Sequence, residues 1–289
     1  MSESSEQAKR LSQWRVAFDG AAARRQLGSL FVLADEAPTA PIRVEAQRLT
    51  ARLLLAHHSQ HPAPTQLDAM LARLGSITRK AAHTPPLIAS EQPPLPSYEQ
   101  AFLFSGHMIG KPDRRTPRFP ADKESIARRA IEEALSRAQA GSSDVAICGA
   151  ACGGDTLFAE VCLARGVALE LFLALDEPDF LAASVAFAGT QWVERYRKLV
   201  AHPRTTRHIM PRELGPTPNK ADVYERSNRW QLATAATAGR LHLIALWDGN
   251  PGDGRGGTAH MIEEARAFGG ETTILKTSAL WPTTAARHV

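Results

Sequence analysis

Val145-Ala-Ile-Cys-Gly-Ala-Ala-Cys-Gly-Gly-Asp155 leaves an apolar strand, passes through a glycine-rich turn and enters the helical pattern Thr156–Arg165. The same order returns in Leu241-His-Leu-Ile-Ala-Leu-Trp-Asp248, then Gly-Asn-Pro-Gly-Asp-Gly-Arg-Gly-Gly-Thr258, then a helical Ala259–Phe268. Short apolar runs without polar alternation predict strands buried on both faces, and helices between them predict parallel crossovers. Glycine, lacking Cβ, lets backbone N–H groups approach an anion, and the following helix N-terminus adds partial positive charge. Two such turns in one parallel sheet face each other across the carboxyl ends of its strands. That is the geometry of a nucleotide site.

The pattern extends outward on both sides. Ala101–Ser105 reads as a strand, Asp122–Ala140 as an amphipathic helix, Asp144–Cys148 as the second strand and Ala168–Leu175, apolar but for Glu170, as the third. Phe180–Val200 is helical with a break near Gly189, and Arg207–Met210 is a short strand. Ala221–Ala238 is helical, and Thr272–Lys276 is the last strand after Leu241–Trp247. The predicted fold class is α/β, a doubly wound and mostly parallel sheet with a helical N-terminal region.

Three stretches divide the chain. Residues 1–82 carry apolar positions at helical spacing, among them Leu11, Trp14 and Phe18, then Leu49, Leu53 and Leu54, then Leu67, Met70 and Leu74. Breaks at Pro38, Pro41, Pro62 and Pro64 separate three or four helical segments. Their apolar faces must be covered, by the sheet domain or by a partner subunit. Residues 83–97 are a proline-dense linker, and residues 98–289 form the sheet domain.

In a chain of 289 residues, 44% hydrophobic and 22% charged content are those of an ordinary soluble globular protein. Arginine dominates the net charge of +4 and suits bidentate contact with phosphate. No Lys/Arg run or aromatic-interleaved basic stripe points to nucleic acid. Met1–Arg10 is polar without an apolar signal region, and no stretch has membrane-spanning length, so a cytoplasmic location away from membranes is expected. Cys148, Cys152 and Cys162 are too few for a disulfide framework, and Cys152 reads as a small residue where bulk would block a ligand. No His/Cys/Asp/Glu set has zinc spacing, so no metal is expected.

Candidate site residues gather at the predicted strand tips. Ser105, Gly106 and His107 end the first strand, and the loop after it carries Arg114, Arg115 and Arg118, able to clamp a phosphate or simply solvated. Gly149, Gly153 and Gly154 shape the first turn, where Asp155 serves as a helix N-cap or as a contact to a ribose hydroxyl. Glu160 points back to the site or is a solvated carboxylate. Asp248 closes its strand, and Gly256, Gly257 and Thr258 make the second turn. Tyr224 and Asn228, one helical turn apart, flank a base or ribose, or belong to the core. Neither the dinucleotide fingerprint nor a P-loop lysine is present.

Taken together, Phe-Ser-Gly-His-Met-Ile from Phe104, Arg-x-x-x-Arg-Phe-Pro from Arg114, Gly-Ala-Ala-Cys-Gly-Gly-Asp-Thr-Leu-Phe-Ala-Glu from Gly149 and Trp-Asp-Gly…Gly-Gly-Thr from Trp247 resemble the SLOG superfamily. That superfamily includes the Lonely Guy phosphoribohydrolases, DprA proteins and the ligand-sensing domains of TRPM channels and bacterial defence proteins. The resemblance covers residues 98–278. It implies a Rossmann-like domain that binds a nucleotide-derived ligand at Ser105, Gly106, Gly149, Gly153, Gly154, Asp155, Gly256, Gly257 and Thr258. In the hydrolase branch a catalytic glutamate stands three residues after the threonine; here that residue is Met261, and Glu263 and Glu264 lie on other helix faces. The sensory branch is the closer match. The expectation is therefore a sensor of an anionic ligand, ADP-ribose-like or cyclic-nucleotide-like, needing no further cofactor and working in signalling or defence through a homo-oligomer or an effector protein. Two alternatives stand beside it: an N-glycosidic hydrolase using Glu160 or Asp248, and DprA-like nucleic-acid binding.

Overall fold

A computed structural model describes residues 3–23, 27–39, 42–43, 46, 50, 98–110, 117–210, 223–250 and 257–281. Six strands form one sheet: β1 (Gln100–Gly106), β2 (Val145–Cys148), β3 (Ala168–Leu173), β4 (Thr205–Ile209), β5 (Arg240–Trp247) and β6 (Glu271–Lys276). Every pairing is parallel, in the order β4-β3-β2-β1-β5-β6. The chain is a doubly wound, Rossmann-like α/β fold. Phe180–Val200, expected as one interrupted helix, resolves into Glu177–Ser184, a 3-10 turn Ala186–Ala188 and Thr190–Ala201, with Gly189 at φ +112° in the break.

The pleat divides the strand residues between two cores. Ala101 and Leu103 of β1, Val145 and Ile147 of β2, and Leu241, Leu243 and Ala245 of β5 face one side. Phe102, Phe104, Ala146, Cys148, Ile244 and Leu246 alternate with them and face the other. Period-two alternation in which both sets are apolar is what a central parallel strand requires. On the second side lie α3 (Glu124–Arg137), α4 (Gly154–Ala164), α5 (Glu177–Ser184) and α6 (Thr190–Ala201). On the first lie α7 (Val223–Ala238) and α8 (Thr258–Ala267).

The N-terminal helices α1 (Glu3–Ala23) and α2 (Leu27–Asp35) add a third layer outside α7. Trp14, Phe18, Leu30 and Leu33 belong to the same apolar core as Trp230 and Ala233 of α7. Polar contacts fix the layer: Trp230 Nε1 donates to Ser29 Oγ at 2.8 Å, and Arg226 Nε pairs with Glu36 Oε1 at 2.7 Å. α1 ends at Ala23 and α2 begins at Leu27, so two separate helices precede Pro38, the first of the expected breaks. The 83–97 linker and the helical spacing around Leu53, Leu67 and Met70 lie outside the described residues.

Candidate functional site

The chain leaves β1 toward α3 on one face and leaves β5 toward α8 on the other. Loops that diverge from neighbouring parallel strands open a crevice at their carboxyl ends, and the order reverses here between β1 and β5. A cavity of about 350 Å³ occupies that crevice. Ser105, Gly106, His107, Arg118, Gly149, Asp155, Tyr224, Asn228, Gly257 and Thr258 all line it. Arg114, Arg115 and Gly256 lie outside the described residues.

At the β5 edge Ser105 Oγ donates to Thr258 Oγ1 at 3.3 Å, joining the tip of β1 to the first residue of α8. The first-turn N–H groups of α8 have no intrahelical acceptor and open beside these hydroxyls. Asp248 lies just behind the lining. Its Oδ2 is 3.1 Å from Arg118 Nε, its Oδ1 accepts the Asn250 N–H at 3.0 Å, and His107 Nε2 lies 3.5 Å from Oδ1. Burial opposes its ionisation, but the Asn250 hydrogen bonds and the Arg118 charge hold its carboxyl below the ordinary range. His107 Nε2 accepts the Asp248 backbone N–H at 3.1 Å, which places the ring proton of the neutral imidazole on Nδ1. Asp248 thus orients Arg118 and His107.

Opposite, at the ends of β3 and α5, the wall is apolar: Phe172, Ala174, Phe180 and Ala183. Tyr224 Oη lies 3.5 Å from Ser184 Oγ, so α7 and α5 meet across the cavity. The sequence reading did not include Ser227 and Gln231, which line the cavity with Tyr224 and Asn228. Positions 224, 227, 228 and 231 recur at helical spacing, and this polar stripe was the available signal.

The first glycine turn differs from the phosphate cradle expected of it. Helix α4 begins at Gly154, with Gly153 as its N-cap, so Asp155 stands inside the first turn and is not the cap. The Gly154 N–H donates to His107 O at 3.2 Å and the Thr156 N–H to Ala151 O at 3.2 Å. Asp155 Oδ2 accepts the Ala151 N–H at 3.2 Å, and the Gly149 N–H also bonds this carboxylate. Gly153 and Gly154 do not line the cavity. A Cβ on Gly153 would lie 2.5 Å from Ile109 N, and one on Gly154 2.8 Å from Phe104 Cε1. These two glycines permit α4 to pack against the end of β1; their role is close approach of backbone. Burial pushes the Asp155 carboxyl up to about 7 against the opposing pull of the Ala151 and Gly149 N–H groups.

Glu160 stands apart from the cavity. It pairs with Arg195 through Nε–Oε1 at 2.6 Å and Nη2–Oε2 at 2.7 Å, and with Arg128. Arg195 also reaches Glu124 at 2.8 Å and lies 4.1 Å over the Trp192 ring. Burial opposes the Glu160 charge, but the two guanidiniums prevail and lower its pKa. This carboxylate ties α3, α4 and α6 together. Met261 is buried in the core, and Glu263 is exposed. Burial pushes the Cys152 thiol up to about 12 and lifts Cys148 and Cys162 as well, which keeps all three protonated and unreactive. Among the described residues no group of three His, Cys, Asp or Glu side chains could hold a metal ion, and no helix is long and apolar enough to cross a membrane. The sequence matches no protein-family model and no curated protein.

Proposed function

We propose that this chain binds a small anionic nucleotide-derived ligand in the crevice between β1 and β5, as a cytoplasmic sensor in signalling or defence. One observation carries the reading: a single cavity joins two chemically opposite ends. Ser105, Thr258, Arg118 and the N-terminus of α8 gather at the β5 end, and Phe172 and Phe180 at the β3 end. β5 and β3 are three strand positions apart, which sets these ends roughly 14 Å from each other. Hydroxyls, a guanidinium and helix N–H groups suit a phosphate, and aromatic rings suit a base. Both carboxylates considered for hydrolysis are held in ion pairs outside the cavity lining, which favours binding over turnover.

The test is calorimetry of the full chain with adenosine, AMP and ADP-ribose, with chromatography for released adenine. AMP should bind more tightly than adenosine, and Arg118→Ala should weaken AMP by about 1.5–3 kcal/mol while leaving adenosine almost unchanged. An equal loss for both would remove the phosphate from this end of the cavity. Adenine released at several per second would make the protein an enzyme.

A further inference from the structure

We infer that Asp155 is a built-in anion occupying the amide nest of the first glycine turn, so that the cavity selects ligands with one phosphate and a hydroxylated linker over ligands with a second phosphate beside it. This rests on the reading of the cavity as a nucleotide site and narrows its ligand class. In a parallel sheet with this order, the β2 turn lies between the ends of β3 and β5. Asp155 therefore stands between the aromatic end and the anion end, where the linking part of a ligand must lie.

The turn has the sequence of a phosphate cradle, but its donors are already spent. The Ala151 N–H reaches Asp155 Oδ2 at 3.2 Å, the Gly149 N–H bonds the same carboxylate, and the Gly154 N–H goes to His107 O. A backbone nest of this kind binds an anion, and the anion here is covalently part of the protein. No cation among the described residues forms a salt bridge with it. The groups that face it are few. Its own turn brings the protonated thiols of Cys148 and Cys152, and α7 brings the neutral amides of Gln231 and Asn228. Across the cavity stand His107 and Arg118, and Arg118 is paired with Asp248. An ionised Asp155 thus repels a second phosphate and accepts hydrogen bonds from a sugar hydroxyl. Its titration near pH 7 makes the discrimination dependent on pH.

The experiment measures calorimetric affinities of the full chain for AMP and ADP at pH 8.5 and pH 6. The variants are Asp155→Asn, which keeps shape and an acceptor oxygen, and Asp155→Ser. At pH 8.5 both variants should raise the ADP-to-AMP affinity ratio roughly tenfold over the parent, the effect of deleting one nearby like charge. At pH 6, where the parent carboxyl holds its proton, parent and variants should converge. Because the ligands' own ionisation is common to all three proteins, the difference between them isolates Asp155. AMP binding with an unchanged ratio, or a ratio shifted equally at both pH values, overturns the inference and leaves the nucleotide site standing. Failure of the parent to bind either nucleotide overturns both.

Discussion

Asp155 concentrates the conflict between site and stability in one carboxyl. Its pKa in the folded chain is about 7, well above the ordinary aspartate value of its unfolded state. A raised acid pKa means that ionisation costs more in the folded protein. The contribution of this group therefore falls as pH rises from about 4 to about 7 and is level above that. Asp155→Asn should be more stable than the parent at pH 8, by an amount on the order of 2–4 kcal/mol, and close to it at pH 4.5. Urea unfolding at the two pH values reads this directly. A gap that does not change with pH, or a less stable variant at pH 8, would show that burial does not raise the pKa of this carboxyl. The neighbouring glycines illustrate where residue-level reading stops. Glycine at 153 and 154 fits a phosphate cradle as well as it fits tight packing, and only the distances to Ile109 N and Phe104 Cε1 separate the two. Gly153, at φ +98° and ψ −123°, occupies a region that side chains rarely enter.

The elements were legible wherever burial was uniform. β1, β2 and β5 are largely apolar on both faces, and β3 is too apart from Glu170, so no register or facing had to be inferred to recognise them. What stayed hidden were pairings between residues distant in sequence. Arg118 near the end of one loop and Asp248 at the start of another are both visible in the sequence, yet nothing local says that one neutralises the other across the crevice. Glu160 was ambiguous for the same reason, since Arg195 reaches it from α6, 35 residues away. Its placement yields a clear expectation. Glu160→Gln removes the charge that Arg128 and Arg195 share and leaves two guanidiniums close together beside Glu124. For a partly exposed network the loss should be about 1–3 kcal/mol of stability, without change in AMP affinity. Thermal unfolding and calorimetry on the same sample decide it. Loss of binding at unchanged stability would return Glu160 to the site.

At the scale of the whole molecule, α7 connects the N-terminal layer to the cavity. One face carries Tyr224, Ser227, Asn228 and Gln231 into the cavity lining. Another carries Trp230 to Ser29, and Arg226 to Glu36, an ion pair whose two side chains are each only 6% exposed. Phe172, a cavity wall, meets the Trp230 ring edge-on at 4.7 Å, so wall, helix and outer layer are in direct contact. Proline density alone marks residues 83–97 as a boundary, but composition does not tell whether the helices before it fold separately from the sheet. Their packing on α7 bears on the outcome of removing them. A fragment beginning at Tyr98 would expose the Trp230 and Ala233 face of α7 and leave the Arg226 guanidinium without the Glu36 carboxylate. Each large apolar side chain that the deletion uncovers costs about 1.5–3 kcal/mol, so the exposed face of α7 alone is a large share of a typical domain's stability. The fragment should therefore unfold at a markedly lower temperature than the full chain and bind AMP more weakly, because the helix it loosens supplies one wall of the cavity. Differential scanning calorimetry of the two proteins, with and without AMP, measures both effects. A fragment that keeps the full chain's unfolding temperature and AMP affinity would show that α7 holds its place on the sheet unaided and that the N-terminal layer is there for a partner.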